Sequence, residues 1–450
     1  MSQKITYADV SHPFPERARL QVCRITLASG QQFDFKNNVV ELSYFEDIYG
    51  FCRSGYVMLR DGFGFLDAFS ITGGEKIEVL IGGPTELTSD RTNTFTIYKI
   101  GDRHPTGNMN SEFYKLYFCS KDLLVNEQVK VSKSYKGKKI SDIVGDILKT
   151  FLQTKEDYNV TNTTGTYDFV IPMMKPYQAI SWLSNYAIPE NSGKSGPVGA
   201  DMFFYEDREG YKFASLNQLM KAYVPARRRY SYQQNNLLEE SVNPSLEHQS
   251  VIAIDFVQSS NILKDISSGA FANKVIGVDL FTKTTTTQTF DYEKYLTEIA
   301  PVNGSGINPN MTTPNGLKPN QTPDTNLRVV MTNSNQKNTN YIKNTSKDSV
   351  SQDLFTQQTM SNRKAQVSLF NHTVLKIIVP GDPDLSVGQT IDFQYPKLTM
   401  SKNSRELDPT YSGVYLITSL RHVLQSSGVY QTILEISKDS SSKPIAQNKG

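Results

Sequence analysis

One long stretch of the chain occurs twice in the same order, and few folds accommodate that. Gly74-Glu75-Lys76-Ile77-Glu78-Val79 has its counterpart in Gly388-Gln389-Thr390-Ile391-Asp392-Phe393. A strand-like run carrying Tyr98 and ending in Arg103-His104 answers one carrying Tyr415 and ending in Arg421-His422. Tyr114 through Asp122 then answers Tyr430 through Asp439. The Gly-to-Tyr interval is 24 residues in the first copy and 27 in the second, Tyr to His is 6 and 7, and His to Tyr is 10 and 8. Such drift belongs in turns. A repeat of this length is not a short-period solenoid unit; it predicts one domain present twice, with Tyr98, Arg103, His104, Tyr415, Arg421 and His422 as duplicated structural positions.

At 450 residues the chain suggests roughly three domains. Its 47 basic and 45 acidic residues leave a net charge of +2, so the overall balance points neither to nucleic acid nor to an anionic membrane. The three cysteines, Cys23, Cys52 and Cys119, are far apart and form no C-x-x-C pair. They read as small buried hydrophobes rather than as a disulfide framework or zinc site. The first residues lack a signal-peptide layout, and no apolar run approaches the ~20 residues that span a bilayer. The expectation is synthesis in the cytoplasm with no membrane insertion by this chain.

Taken in order, residues 1–19 are a polar arm. Residues 20–122 alternate apolar and polar at period two, as in Phe95 to Ile100 and Phe113 to Phe118, and predict a sandwich or barrel of short strands. The period changes after Asp122. Ile140, Ile143, Val144, Ile147, Leu148 and Phe151 mark one face of a helix, and Pro176 opens a second with Ala179, Ile180, Leu183 and Ala187 inward. With strands at Tyr167 to Pro172 and Met202 to Leu216, residues 123–247 form an α+β middle domain. Residues 248–285 read as the opening strands of the second barrel: Val251 to Phe256 resembles Val39 to Leu42, and Val275 to Asp279 resembles Tyr56 to Asp61. Residues 286–365, rich in Asn, Thr, Ser, Pro and Gly, predict a polar extended insertion. Residues 366–440 complete the second barrel and 441–450 are a polar tail. The fold class is mainly β with an α+β middle region.

No catalytic, cofactor-binding or metal constellation emerges. Asp201, Glu206, Asp207 and Glu209 place carboxylates close in sequence, as a glycosidase requires; the plainer reading is a charged turn, Glu206 to Gly210, between strands. His12, His104, His248, His372 and His422 show no ligand spacing. Arg227-Arg228-Arg229 with Tyr230 and Tyr232 is a compact basic run. It is read as a segment making ion pairs with a neighbouring subunit rather than as a nucleic-acid patch. Trp182 reads as core.

Several stretches resemble phage tail baseplate hub proteins. Tyr44-Phe45-Glu46-Asp47-Ile48, Ser54-Gly55-Tyr56-Val57 and Ile71-Thr72-Gly73-Gly74-Glu75 are similar to the opening barrel of such hubs. Ile171-Pro172 and Pro176 to Leu183 are similar to their middle-domain helix, and Phe203 to Glu206 with Gly210 and Phe213 to Leu216 to the strand pair after it. Pro380-Gly381 to Gln389, Gly413 to Ile417 and Gly428 to Leu434 resemble the closing barrel shared with the hub part of type VI secretion spikes. The resemblance covers about 20–290 and 366–439. It implies two tube-like barrels per chain and a homotrimeric ring of pseudo-six-fold symmetry in a virion tail baseplate. That ring would adapt the six-fold tail tube protein to the three-fold central spike protein and contact the tape-measure protein, other baseplate proteins and, transiently, DNA in the channel. It implies no cofactor and no catalysis. The duplication supports the ring independently, because two equivalent domains in a closed trimer give six similar faces. Alternatives are the spike base of a type VI or extracellular contractile injection system, which would continue into further domains beyond Gly450, and a baseplate-associated cell-wall hydrolase using the carboxylates of 201–209.

Overall fold

The computed structural model describes residues 18–69, 71–82, 92–106, 111–190, 201–221, 228–232, 249–258, 261–280, 283–294, 303, 311–332, 352–397 and 407–440. The expected arm up to residue 17, the tail 441–450 and much of the expected insertion lie outside the described residues, as do His12, His248 and Arg227.

The N-terminal region contributes β1 (Arg19–Thr26), β2 (Gln32–Asp34), β3 (Val39–Asp47), β4 (Ser54–Asp61), β5 (Lys76–Gly82), β6 (Asn93–Pro105) and β7 (Glu112–Cys119). In β4 and β7 alternate residues, Val57 and Leu59 or Tyr114, Leu116 and Phe118, are wholly buried, as period-two patterning demands. They share one apolar core with Cys23 and Ile25 of β1 and Leu42 and Tyr44 of β3, so both ends of this half-sheet turn towards the same interior.

The middle region holds β8 (Val131–Lys138), β9 (Tyr158–Val160), β10 (Tyr167–Met174), β11 (Met202–Asp207) and β12 (Gly210–Ser215). β8 pairs with β10, and β11, β12 and β9 form a second small sheet. The first expected helix is present as Ile140–Asp146, widening into a π-turn over Ile147–Leu152. The second runs Pro176–Ser184. Ile140, Ile143, Ile147, Leu148, Ala179, Ile180 and Leu183 are buried together between these sheets. Trp182 is half-buried, edge-on to Phe169 and Tyr186.

The C-terminal region adds β13 (Arg229–Ser231), β14 (Ala253–Gln258), β15 (Ala272–Asp279), β16 (Thr284–Asp291), β17 (Leu327–Thr332), β18 (Thr373–Pro380), β19 (Thr390–Gln394), β20 (Gly413–Gln425) and β21 (Tyr430–Lys438). The largest sheet among the described residues runs β14-β18-β21-β20-β3-β4-β7-β6-β5-β1-β2, with β19 beside β20 and β13 beside β19. Five neighbours therefore recur in the same order: β3-β4-β7-β6-β5 and β14-β18-β21-β20-β19. The hydrogen bonds recur too. Gly74 N–H donates to Ile97 O and Ile97 N–H to Glu75 O; in the second copy Gly388 N–H donates to Ile417 O and Ile417 N–H to Gln389 O. Each long strand is bulged directly after that isoleucine, between Ile97 and Lys99 and between Ile417 and Ser419.

This register corrects the pairing of the duplicated positions. Ile77 lies opposite Phe95, and Ile391 opposite Tyr415, so Phe95, not Tyr98, is the counterpart of Tyr415. Gly101 and Arg421 hold equivalent places opposite Lys115 and Ile433, whereas His104 matches Val423, opposite Phe113 and Gln431. Tyr98 and His104 are accordingly exposed while Tyr415 and His422 are buried. The shared Tyr and Arg-His coincide in residue order, but side-chain facing follows backbone pairing.

Two further expectations change. β15 does not join the second module; it lies between β16 and the parallel β17 in a separate three-stranded sheet. The counterpart of β4 is β18, whose Leu375, Ile377 and Val379 all enter the second core, so the excursion begins after β14 rather than near residue 286. Nor is that excursion merely extended and polar. Its Thr-rich run forms β16, in keeping with the strand preference of β-branched residues, and the helix Gln352–Phe370 packs its Ala365 and Leu369 on Phe271, Phe290 and Tyr292. β13 joins the large sheet, not the middle domain, by pairing parallel to β19.

Candidate functional site: the joints between repeated modules

β20 is thirteen residues long and its two halves have different partners. Residues 413–416 pair with β19, whereas 419–425 pair antiparallel with β3, from Ser419 opposite Asp47 to Gln425 opposite Glu41. The bulge lies between the two halves, where added twist redirects a strand. The two modules are thereby fused edge to edge. Leu424 and Tyr430 of the second module sit inside the first module's core, so the joint is packed as an interior.

Polar side chains fix its register. Arg421 donates from Nη2 to Glu41 Oε1 (3.1 Å), Ser43 Oγ (3.0 Å) and Tyr56 Oη (3.0 Å), and its guanidinium lies 5.5 Å from the Phe45 ring. Burial acts to raise the Glu41 carboxyl, but hydrogen bonds from Tyr56 and Ser43 and the Arg421 charge outweigh it and hold it low. One residue on, His422 is wholly buried and stacked on Tyr44 at 4.5 Å between ring centroids. Its Nδ1 is 2.8 Å from Tyr430 Oη and 3.2 Å from Thr432 Oγ1. Burial drives the imidazole down to about 3, so it stays neutral.

A second joint ties both modules to the middle region. Arg53, just before β4, donates from Nε to Glu206 Oε1 (3.1 Å) and from its backbone N–H to Glu206 Oε2 (3.1 Å), with Nη1 on Asn93 Oδ1 (2.9 Å). Burial opposes the Arg53 charge, yet Glu206 and Glu46 hold it firmly protonated. Glu46, wholly buried on β3, accepts through Oε2 from Ser386 Oγ (2.6 Å) and Val387 N–H (3.2 Å). Burial raises it to about 7, and Asp207, also by burial, to about 6. Arg208 completes the joint by bonding Asp384 Oδ1 at 2.6 Å.

These placements answer the other candidates. Asp201 and Glu206 flank opposite ends of β11, about 17 Å apart at ~3.3 Å per strand residue, against the ~5–10 Å that paired glycosidase carboxyls need. Asp201 is buried and accepts from Ser215 Oγ and Asn217 N–H, both at 2.7 Å. Asp207 accepts from Glu209 and Gly210 N–H as a turn aspartate does. Arg228 pairs with Asp382 and Arg229 with Asp392 (3.1 Å), so the described part of the basic run makes its ion pairs within the chain. His372, just before β18, is bonded to Asp265 at 2.7 Å, whereas His422 is on β20, two strands away in the sheet order. Among the described residues no group of three His, Cys, Asp or Glu side chains is placed to hold a metal, and no helix is long and apolar enough to cross a membrane. Cys23 and Cys119 are buried, Cys52 is half-buried, and all three are free thiols. Glu46 and Arg53 were missed in the sequence, although Glu46 falls in phase with Leu42, Tyr44 and Ile48 and so marks a carboxylate on the buried face.

The fold is one shared with solved tail proteins. A tail protein from Neisseria meningitidis MC58 superimposes with a TM-score of 0.53 at 11% identity, covering 93% of this chain and 96% of that one. The 43 kDa tail protein of prophage MuSo2 from Shewanella oneidensis does so with a TM-score of 0.53 at 10% identity, covering 93% and 99%. In sequence, the chain is 25% identical over 417 residues to the probable baseplate hub protein gp334 of Vibrio phage KVP40, covering 90% of this chain and 91% of that protein. The resemblance to baseplate hub proteins read from scattered motifs thus extends along nearly the whole chain. No protein-family model matches.

Proposed function

We propose that this chain is a structural hub protein of a phage tail baseplate. Three copies form a ring in which six repeated modules surround a channel, the tail tube docking on one face and the central spike on the other. The tape measure and then DNA pass through, other baseplate proteins pack outside, and the chain itself carries no catalytic step. The observation that carries this reading is the recurrence of five strands in one order within one chain, already joined edge to edge by β20 and β3. Two equivalent modules per chain let a three-fold assembly present six similar faces, the geometry required where six-fold and three-fold parts meet.

Particle imaging and native mass measurement of the purified full chain test the proposal. The expected particle has three-fold symmetry, six similar lobes and a mass of about 152 kDa from three 50.6 kDa chains. A stable monomer at micromolar concentration overturns it.

A further inference from the structure

The intrachain joint uses one edge from each module: the outer half of β20 and the outer edge of β3. Each has a counterpart in the other module. β6 corresponds to β20, and it pairs with β5 only through Asn93 to Thr96 and the Gly74–Ile97 bonds. Beyond the bulge its residues 99–105 have β7 on one side and, among the described residues, no strand on the other. β14 corresponds to β3 and stands at the end of the sheet with β18 as its single strand neighbour among the described residues. Exposure follows the same division. Leu42 and Tyr44 of β3 are 1% and 4% exposed, whereas Phe256, the register equivalent of Tyr44, is 38% exposed and neighbouring Val257 is 56%. His422 and Leu424 are buried, while Arg103, His104 and Pro105 of β6 are exposed. An uncapped strand edge is a template for another strand; the flank of β14 is apolar at Phe256 and Val257, and that of β6 is polar at Asp102, Arg103 and His104.

We infer that residues 99–105 of β6 pair antiparallel with β14 of a second copy of this chain, repeating between chains the joint that β20 and β3 make within one. The inference rests on the proposed trimer and specifies the contact that would build it. Register follows from the duplication. Val423 lies opposite Ser43 in the intrachain joint. His104 occupies the place of Val423, as derived above, and Asp255 that of Ser43, since Asp255 lies opposite Lys376 as Ser43 lies opposite Tyr56. His104 therefore faces Asp255 of the next chain, and Pro105, which has no N–H to donate, faces Ile254. The contact is heterologous, so it does not make a two-fold dimer; it builds the proposed ring where its rotation closes at three copies.

Within one chain β6 and β14 are seven strand steps apart in the sheet order, and a bond between residues 104 and 255 that joins two chains is told from one within a chain by the mass of the covalent product. The test uses the full chain carrying His104→Cys with Asp255→Cys, oxidised and run without reductant, beside the shifted pair His104→Cys with Ala253→Cys and each single variant. The native mass is measured in parallel. The expected result is covalent dimers and trimers for the 104/255 pair, at least tenfold above the shifted pair and the singles. A 152 kDa particle in which the 104/255 pair does not cross-link, or cross-links no better than the shifted pair, overturns the inference and leaves the trimer standing. A native mass of one chain overturns the trimer itself.

Discussion

At Glu46 one carboxylate oxygen accepts from Ser386 and Val387 while burial holds the group at about 7. The folded chain thus binds this proton more tightly than the unfolded chain, where a glutamate titrates near ~4.3. The stability it contributes is complete below that value and is lost as pH rises through about 7. His422, lowered to about 3, acts oppositely: its contribution is present above ~6.5 and is lost as pH falls. Lys438, lowered by burial to about 7, also gains stability for the fold as pH rises above that value. The diagnostic is therefore a comparison of Glu46→Gln with the parent rather than one curve. Between pH 6.5 and 8 the parent is expected to lose roughly 1 kcal/mol relative to the variant, read from paired urea melts. Parallel curves would mean Glu46 titrates outside that window. Arg53 and Glu206 have a different character: both are buried and each satisfies the other, so removing one strands a charge at a cost of about 3–5 kcal/mol.

Between elements, the two modules fill the same place with opposite size choices. Gly55 lies opposite Phe118, and their register equivalents Leu375 and Ile436 lie opposite each other. A Cβ added at Gly55 would come within 2.7 Å of the Phe118 ring and 2.4 Å of Ser43 O. Overpacking of this kind costs about 1–3 kcal/mol, so Gly55→Leu alone is expected to lower the melting temperature of the chain. Adding Phe118→Ile, the pairing used by the second module, is expected to recover part of the loss, the remainder reflecting the close Ser43 carbonyl. Strictly additive losses in the double-mutant cycle would show that the two positions do not share the space. Gly388 makes a different demand: at φ 79° with Tyr205 Oη 2.3 Å from a Cβ, only glycine fits where the second module meets β11.

Across the whole molecule, the excursion from β14 to β18 is an addition to the sheet. Gln258 lies opposite Val374 and its side chain bonds Asn371 O at 2.7 Å, so the excursion leaves and returns at neighbouring points. Replacing residues 261–368 by a short Gly/Ser linker is expected to keep the three-chain mass, because neither β6 nor β14 is touched. The melting temperature should fall, since Arg363 donates to the Ser184 and Met202 carbonyls and ties the helix Gln352–Phe370 to the middle region. A monomeric product would move the assembly contact into the excursion. On the outer face of its sheet Leu327, Val329 and Met331 are between 52% and 79% exposed, an apolar surface that no other described residue covers.

Residue order alone established the duplication, the period-two strands around Phe95 and Phe118, the helices opening at Ile140 and Pro176, and the likeness to baseplate hubs, because periodicity and repeated motifs are local properties of a chain. Tertiary structure decided the rest. Which tyrosine matches Tyr415 depends on backbone pairing across β19 and β20, and a slip of one residue reverses every facing. Whether Val275 or Leu375 continues the second module depends on which strand buries more apolar surface against that core. That Arg228 and Arg229 pair with Asp382 and Asp392 some 150 to 160 positions away, and that Glu46 meets Ser386 and His422 meets Tyr44 across more than 300 positions, follows from long-range packing. No local pattern encodes those contacts, because they arise only when two copies of one module meet along a strand edge.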